Sequence, residues 1–257
     1  MTEHVRVNVE AGVMRLVLNR PAKKNALTNA MYGALTDALE AADRDRAVRT
    51  VLFEAEGDIF CAGNDIGDFA AAASGTLTGE KLRGFDFISQ LGRAEKPYVA
   101  AVQGKAVGIG LTMLLHCDLV FVAEDATLTA PFVNLALVPE AASTLLLPAR
   151  IGHARAYSMF ALGEAIDGRT AAQLGLANAA LPRAEVRSRA LAAAQALAAQ
   201  PLDALCATKR LMRDSERISA VMKREGAVFA ERLKSAEATE AFTAFAERRP
   251  PDYRRLG

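Results

Sequence analysis

The sequence is poor in the residues that build disulfide frameworks and thiolate metal sites. It has three cysteines, Cys61, Cys117 and Cys206, which lie far apart and form no CxxC pair. This spacing argues against a disulfide-stabilised fold and against a cysteine metal site. Because free thiols are typical of a reducing compartment, we expect the protein to be cytoplasmic.

Neither sign of charge is in clear excess. Lysine and arginine total 31, aspartate and glutamate total 30, and the formal net charge is +1. A chain with this balance has no overall field that would attract nucleic acid or an anionic membrane. We therefore expect neither as a partner, and an anionic ligand would have to be bound by local contacts.

Long apolar runs, metal-ligand spacings and phosphate loops are also missing. No stretch of about 18 uncharged apolar residues occurs, and residues 1–10 lack the apolar region of a signal peptide, so we expect a protein that is neither membrane-spanning nor secreted. His4, His116 and His153 have no ligand spacing, and His116 is expected to be a hydrogen-bonded core residue. The absence of GxGxxG and GxxxxGK[ST] disfavours dinucleotide and triphosphate chemistry.

The patterns that are present predict strands alternating with helices. Alternating apolar residues predict a hairpin at residues 5–9 and 14–18, and Thr28 can cap a helix that ends near Asp43. Further strands are predicted at 50–55, 97–102, 119–123 and 126–129, and helices at about 79–93, 111–116 and 143–150. This alternation favours an α/β architecture with crossover connections.

Beyond about Arg183 the pattern is helical only, with segments at 201–215, 217–234 and 236–248. These helices carry more apolar side chains than a short tail can bury, so we expect them to pack on the core or on another subunit. The sequence thus divides into a core of residues 1–200 and a C-terminal helical region of residues 201–257.

Two loops rich in small residues each follow a predicted buried strand. They are FCAGNDI at residues 60–66 and GKAVGIG at residues 104–110. Small residues allow the backbone to approach a ligand, and free N–H groups at the start of a helix can stabilise a developing oxyanion. Composition alone favours the simpler interpretation, because most glycine-bearing turns are only turns.

Four linked motifs resemble the enoyl-CoA hydratase/isomerase superfamily, also called the crotonase superfamily, and are most like its enoyl-CoA delta isomerase branch. They are NRPAKKNAL at residues 19–27, FCAGNDI, AVGIG at residues 106–110 followed by Cys117-Asp118, and Pro131-Phe132 with Pro139-Glu140. The segment TAFAERR at residues 243–249 extends the likeness to nearly the whole chain.

The resemblance implies a crotonase-like spiral of ββα turns over residues 1–200, with the acyl-CoA site between the two glycine loops. Residues 201–257 would form the helical oligomerisation region of a homotrimer or a dimer of trimers. The substrate would be an acyl thioester of coenzyme A in fatty acid metabolism, with no cofactor beyond the coenzyme A of that substrate.

The resemblance also assigns the catalytic groups. The backbone N–H groups of Asn64 and Ile109 would form the oxyanion hole, and Glu140 would be the acid-base group. The positions of the two hydratase glutamates correspond to Thr112 and Phe132, which cannot transfer a proton as a carboxylate does. The resemblance therefore implies that Glu140 takes a proton from C2 of a 3-enoyl-CoA and returns it to C4.

The other residues that the resemblance places near the substrate include a basic pair beside the coenzyme A phosphates and two C-terminal residues that would reach a neighbouring subunit's ligand. The full set is Lys23, Lys24, Ala26, Ala62, Gly63, Asp65, Ile66, Gly108, Thr112, Phe132, Leu135, Phe245 and Arg248. The apolar wall expected to raise the pKa of Glu140 is Phe132, Leu135, Leu137 and Val138, whereas a nearby helix N-terminus would lower it.

Simpler interpretations of these residues stay open. Lys23 and Lys24 can be a solvated surface pair, Phe245 a core side chain, Glu140 a solvated carboxylate at a helix start, and Cys61 a small apolar residue. The function has alternatives too: a hydratase or another crotonase-type reaction, or a member that binds acyl-CoA without catalysis. A fold shared without a shared ligand is a further alternative.

Overall fold

The computed structural model describes residues 2–68 and 82–255. Its larger sheet has the strand order β1-β2-β3-β4-β6-β9. The first two strands are antiparallel, and the remaining neighbours are parallel. The strands of this sheet are β1 (Val5–Glu10), β2 (Val13–Leu18), β3 (Thr50–Ala55), β4 (Tyr98–Val102), β6 (Leu119–Ala123) and β9 (Ala179–Leu181).

A smaller sheet has the order β5-β7-β8, with β5 parallel to β7 and β7 antiparallel to β8. Its strands are β5 (Lys105–Val107), β7 (Thr127–Thr129) and β8 (Ile166–Asp167). The second glycine loop enters this sheet at Gly104, where φ is +68° and an added Cβ would lie 1.9 Å from the Asp58 carbonyl oxygen. Only glycine fits there, because a side chain would clash with this carbonyl, and the left-handed backbone adds strain for any other residue.

Helices connect the strands and form the C-terminal part of the chain. In the first 200 residues they are α1 (Asn29–Arg44), α2 (Gly84–Arg93), α3 (Ile109–Thr112), α4 (Ser143–Ile151), α5 (His153–Ala161), α6 (Gly168–Gln173) and α7 (Arg183–Ala198). After these come α8 (Leu202–Met212), α9 (Ser215–Leu233) and α10 (Ala236–Ala246). In the described part of the chain no single helix has the length and apolar content to cross a membrane. Helices α7 and α8 together are long and apolar enough, but the angle between them is 108°.

The core lies between the large sheet and the helices that cover it. All six residues of β3 and all five of β4 are buried, as expected for central parallel strands covered on both faces. Helix α7 packs against β3, β4 and β6, and α1 packs against α2. The architecture is therefore α/β with a C-terminal helical region, as the sequence predicted.

Three local predictions from the sequence are confirmed. The hairpin forms around Ala11 and Gly12, whose φ values of 49° and 79° suit a two-residue turn of type I′. Thr28 Oγ1 accepts a hydrogen bond from Met31 N at 3.3 Å and so caps α1. His116 is buried, and its Nε2 lies 2.8 Å from the Ala141 carbonyl oxygen, as expected for a hydrogen-bonded core histidine.

Other expectations need correction. The predicted helix at 79–93 begins at Gly84, and residues 79–81 lie outside the described part. The short strands β5, β8 and β9 and the helices α5 and α6 were not predicted. Strands of two or three residues carry little alternation, and among the described strands of this length the sequence predicted only β7. The division at residue 200 stays a prediction.

Candidate active site

The two glycine loops lie side by side because their backbones are hydrogen-bonded to each other. Cys61 N donates to the Lys105 carbonyl at 3.0 Å, and Val107 N donates to the Cys61 carbonyl at 2.9 Å. A Cβ added at Gly110 would lie 2.7 Å from the Cys61 carbonyl oxygen. This close approach brings the ends of both loops to one place.

Two backbone N–H groups at the ends of these loops are left without an acceptor. Around Asn64, Leu27 N donates to Gly63 O and Asp65 N donates to Leu27 O. Ile109 is the first residue of α3, where backbone N–H groups have no partner within the helix. Among the described residues, no acceptor pairs with the N–H of Asn64 or of Ile109.

Two neighbouring cavities open on these loops, and Asn64 and Phe229 line both. We call one the Glu140 cavity, lined by Leu27, Asn29, Tyr32, Asn64, Asp65, Asp68, Leu82, Gly84, Phe85, Ile88, Glu140, Phe229 and Leu233. The other is the glycine-loop cavity, lined by Ala62, Gly63, Asn64, Ile66, Val107, Gly108, Pro131, Phe132, Leu135, Leu137 and Phe229.

Glu140 is buried, with 8% of its surface exposed. Burial raises its pKa from 4.5 to about 8; the charge of Glu225 adds to this rise, and the hydroxyl of Thr112 opposes it. Although Thr112 is near, neither Glu140 Oε1 nor Thr112 Oγ1 makes a hydrogen bond of normal geometry with the described residues. The interpretation of Glu140 as a solvated helix-start carboxylate is therefore wrong.

The surroundings of Glu140 differ from the expectation in two respects. Phe132, Leu135 and Leu137 line the glycine-loop cavity, and the apolar wall of the Glu140 cavity comes from other elements. The N–H groups at the start of α4 do not bind the Glu140 carboxyl group either, since Ala142 N and Thr144 N donate to Glu225 and Ser143 N donates to the backbone carbonyl of Glu140. The nearby helix start therefore leaves the pKa of Glu140 high.

Tyr32 is a site residue that the sequence analysis missed. It is buried, lines the Glu140 cavity, and donates its hydroxyl hydrogen to Asn64 Oδ1. Burial, and then the charge of Glu140, raise the pKa of Tyr32 well above its usual value. The sequence held one signal for this role, because Tyr32 places a polar hydroxyl group among the buried residues Met31 and Leu35 of α1.

Asp65 is tied to the NRPAKKNAL segment. Arg20 Nη1 donates to Asp65 Oδ2 at 2.7 Å and to the Ala26 carbonyl at 3.1 Å. Burial would raise the pKa of Asp65, but hydrogen bonds from Arg20 and from the N–H groups of Asp68 and Gly67, with the charge of Arg20, outweigh it and lower the pKa. Arg20 thus links Asp65 to the backbone of Ala26 at the edge of the Glu140 cavity.

The predicted residues fall into two groups. Gathered at the two cavities are Ala62, Gly63, Asn64, Asp65, Ile66, Gly108, Phe132, Leu135 and Glu140, with Thr112 beside Glu140 and Ile109 next to Gly108. Lys23, Lys24, Phe245 and Arg248 are exposed and line neither cavity. Phe245 is 57% exposed, so its interpretation as a core side chain is wrong.

Cys61 is buried next to the candidate oxyanion hole. Burial raises the pKa of its thiol to about 12, which leaves too little thiolate for a nucleophile at neutral pH. Its interpretation as a small apolar residue is therefore confirmed. Within residues 2–68 and 82–255, no group of three or more histidine, cysteine, aspartate or glutamate residues could hold a metal ion.

Comparison with known proteins gives a consistent result. The chain matches the enoyl-CoA hydratase/isomerase family over residues 8–255. It is 32% identical to enoyl-CoA delta isomerase 2 of Rattus norvegicus over 96% of this chain and 64% of that protein, so it spans less than two thirds of that relative. It is also 32% identical to a probable enoyl-CoA hydratase of Bacillus subtilis, over 97% of this chain and 98% of the relative.

Solved structures agree. An enoyl-CoA hydratase/isomerase from Pseudoalteromonas atlantica superposes with a TM-score of 0.91 at 40% identity, covering 97% of this chain and 99% of the other. The fold and the paired loops define a protein of the crotonase fold class. The chain belongs to the enoyl-CoA hydratase/isomerase family and is a crotonase-family acyl-CoA enzyme.

The high pKa of Glu140 has a consequence for stability. Because burial raises this pKa from 4.5 to about 8, the folded protein holds the proton more tightly than the unfolded chain does. The resulting stabilisation is fully present below pH 4.5 and is lost as the pH rises through about 8. Between pH 5 and 7, the free energy of unfolding of the wild type should fall by about 2–3 kcal/mol more than that of Glu140→Gln.

Urea unfolding at several pH values measures this difference. Glu231→Gln, an exposed glutamate on α9, serves as the control and should follow the wild-type curve. If the free energy of unfolding changed with pH equally in the wild type and in Glu140→Gln, this would contradict the raised pKa of Glu140.

Proposed function

We propose that the protein moves a double bond from the 3 position to the 2 position of an enoyl-CoA thioester. The observation that carries this proposal is a single buried carboxyl group, Glu140, in a cavity shared with Asn64, whose N–H has no acceptor in the described part of the chain. A carboxyl group of this kind can move a proton between two carbons of one substrate. The thioester oxygen would carry the charge that forms meanwhile.

In this mechanism the substrate carbonyl lies between the N–H groups of Asn64 and Ile109, and Glu140 removes a proton from C2. The dienolate oxygen is stabilised by the two amides, and a single donor of this type contributes about 2.7–4 kcal/mol in a comparable hole. Glu140 then returns the proton to C4. A carboxyl group with a pKa of about 8 both accepts and donates protons near neutral pH, which suits a shuttle.

Double-bond migration is favoured over hydration by the residues around the site. The hydratase glutamate positions hold Thr112 and Phe132, and the remaining carboxylates of the Glu140 cavity are Asp65 and Asp68. Asp65 is held by Arg20, and Asp68 accepts a hydrogen bond from Asn29 N at 2.9 Å. Because both have structural partners, neither is a ready second base. Relatives at 32% identity bear the names of both an isomerase and a hydratase, so identity does not decide.

Coenzyme A contacts and assembly belong to the same proposal. Lys23 and Lys24 would meet the coenzyme A phosphates, and Phe245 and Arg248 would reach the ligand of a neighbouring subunit. Their exposure in the single chain is compatible with both roles. The proposed enzyme is cytoplasmic and works without a cofactor beyond the coenzyme A of its substrate.

The substrate test is to incubate the purified protein separately with a 3-enoyl-CoA and a 2-enoyl-CoA. We expect migration of the double bond in the first and no addition of water to the second. Glu140→Gln should lower turnover of 3-enoyl-CoA by about 100- to 10,000-fold, because general acid-base catalysis typically contributes that factor. Binding of the acyl-CoA, measured by calorimetry, should change little.

Asp68→Asn is the matched control, since Asp68 lines the same cavity, and it should keep most of the activity. Hydration of 2-enoyl-CoA would support a hydratase in place of the isomerase. Binding without turnover of either substrate would support a non-catalytic acyl-CoA-binding member. Full isomerisation by Glu140→Gln would reject Glu140 as the shuttle.

We expect the oligomer to be a trimer or a pair of trimers. Light scattering should give a mass of three or six chains, and mutation of the exposed Phe245 and Arg248 to alanine should then weaken binding of acyl-CoA. A monomer that binds acyl-CoA with full affinity would contradict this arrangement.

A further inference from the structure

Glu225, on the C-terminal helix α9, forms a cap on the helix that follows Glu140. Its Oε2 accepts a hydrogen bond from Ala142 N at 2.6 Å, and its Oε1 accepts from Thr144 N at 2.9 Å and from Thr144 Oγ1 at 2.5 Å. Glu225 is buried, with 6% of its surface exposed. A carboxylate from a segment about 80 residues away thus satisfies the first N–H groups of α4.

The segment that Glu225 holds has an unfavourable backbone. Ala141 and Ala142, which follow Glu140 directly, have φ values of 58° and 54°. The left-handed conformation is unfavourable for a non-glycine residue, so two in succession need outside contacts to persist. Glu225 binds Ala142 N, and His116 Nε2 donates to the Ala141 carbonyl at 2.8 Å. These two contacts hold the backbone of the two residues that follow Glu140.

Glu225 is also the charged group with the strongest influence on Glu140. Among the described residues, other titratable groups near Glu140 are the buried Tyr32 and Cys61, and Asp65 and Asp68 at the cavity wall. His116, which binds the Ala141 carbonyl, is neutral at pH 7 because burial lowers its pKa to about 3. Among the described residues that line the Glu140 cavity there is no lysine, arginine or histidine. After burial, the charge of Glu225 is the next cause that raises the pKa of Glu140.

The charge on Glu225 is itself supported by its surroundings. Burial raises the pKa of Glu225 above its usual value, although the hydrogen bonds from Thr144 and Ala142 and the charge of Arg224 oppose this rise. A helix N-terminus also favours an anion. These three donors therefore offset part of the effect of burial, and the ionised form of Glu225 depends on them.

We propose that Glu225 is a positioning residue for Glu140: from the C-terminal helix it fixes the loop that carries Glu140 and holds a negative charge beside it. The inference rests on the proposed function only in taking Glu140 as the acid-base group. It links the C-terminal helical region to the chemistry of the core by a direct contact.

The test is Glu225→Gln, which keeps the shape of the side chain and removes its charge. Glutamate labelled with carbon-13 at its side-chain carboxyl reports titration of Glu140 in the ligand-free protein, and the spectrum of Glu140→Gln assigns the signal. We expect Glu140 to titrate at lower pH in Glu225→Gln, because a repelling charge has been removed. In the isomerase assay the acidic limb of kcat/KM should move to lower pH. Plateau kcat should fall by about 10- to 100-fold through misplacement of Glu140, with KM little changed.

Glu231→Gln, on the same helix but exposed, is the control and should change none of these quantities. Thr144→Val removes one donor to Glu225, so Glu225 is ionised less and Glu140 should titrate at slightly lower pH. Thr144→Ser keeps the donor and should behave as the wild type. Because Thr144 is exposed, we expect both Thr144 variants to fold. They test the influence of Glu225 on Glu140 if Glu225→Gln does not fold.

Unchanged titration of Glu140 in a folded Glu225→Gln protein would overturn the inference, even if stability or kcat falls, because a purely structural cap would give that result. A shifted titration in a protein without isomerase activity would support the role of Glu225 and reject the proposed function. The two ideas therefore fail separately.

Discussion

Burial of the Glu140 carboxyl group is the constraint on which the proposed chemistry depends. The group lies in a cavity whose described lining holds no cation, and the charge that most affects it is another carboxylate, Glu225. A buried carboxyl without a cation is stabilised in its neutral form, so the protein holds a proton that an exposed glutamate would release. In the proposed mechanism, Glu140 in its ionised form removes a proton from the substrate, and the neighbouring backbone amides stabilise the negative charge that forms.

The fold keeps these groups in position with backbone contacts. Hydrogen bonds from Cys61 to Lys105 and from Val107 to Cys61 join the two loops, and the close approach at Gly110 admits no side chain. The Tyr32 hydroxyl group donates a hydrogen bond to the side chain of Asn64. The backbone N–H of Asn64 has no acceptor among the described residues. The proposed oxyanion hole is compatible with the side chains of Asn64 and Ile109, because it would use only their backbone amides.

Much of this could be predicted from the sequence because it depends on local patterns. The hairpin, the Thr28 cap, the buried strands and the two glycine loops each have a signal within a few residues, and the linked motifs identify Glu140. Glu225 and Tyr32 could not be predicted in this way. Their roles depend on contacts between segments far apart in the chain, and a glutamate within a helix of mixed polarity has no pattern that marks it as buried. The apolar wall at Glu140 was misassigned for the same reason.

A structure of the protein with a 3-enoyl-CoA or a non-reactive analogue tests the central claim most directly. The account predicts the thioester oxygen about 2.7–3.1 Å from the N atoms of both Asn64 and Ile109, with one Glu140 oxygen in reach of both C2 and C4. A thioester oxygen bound elsewhere, or a Glu140 carboxyl group turned away from the acyl chain into solvent, would contradict it.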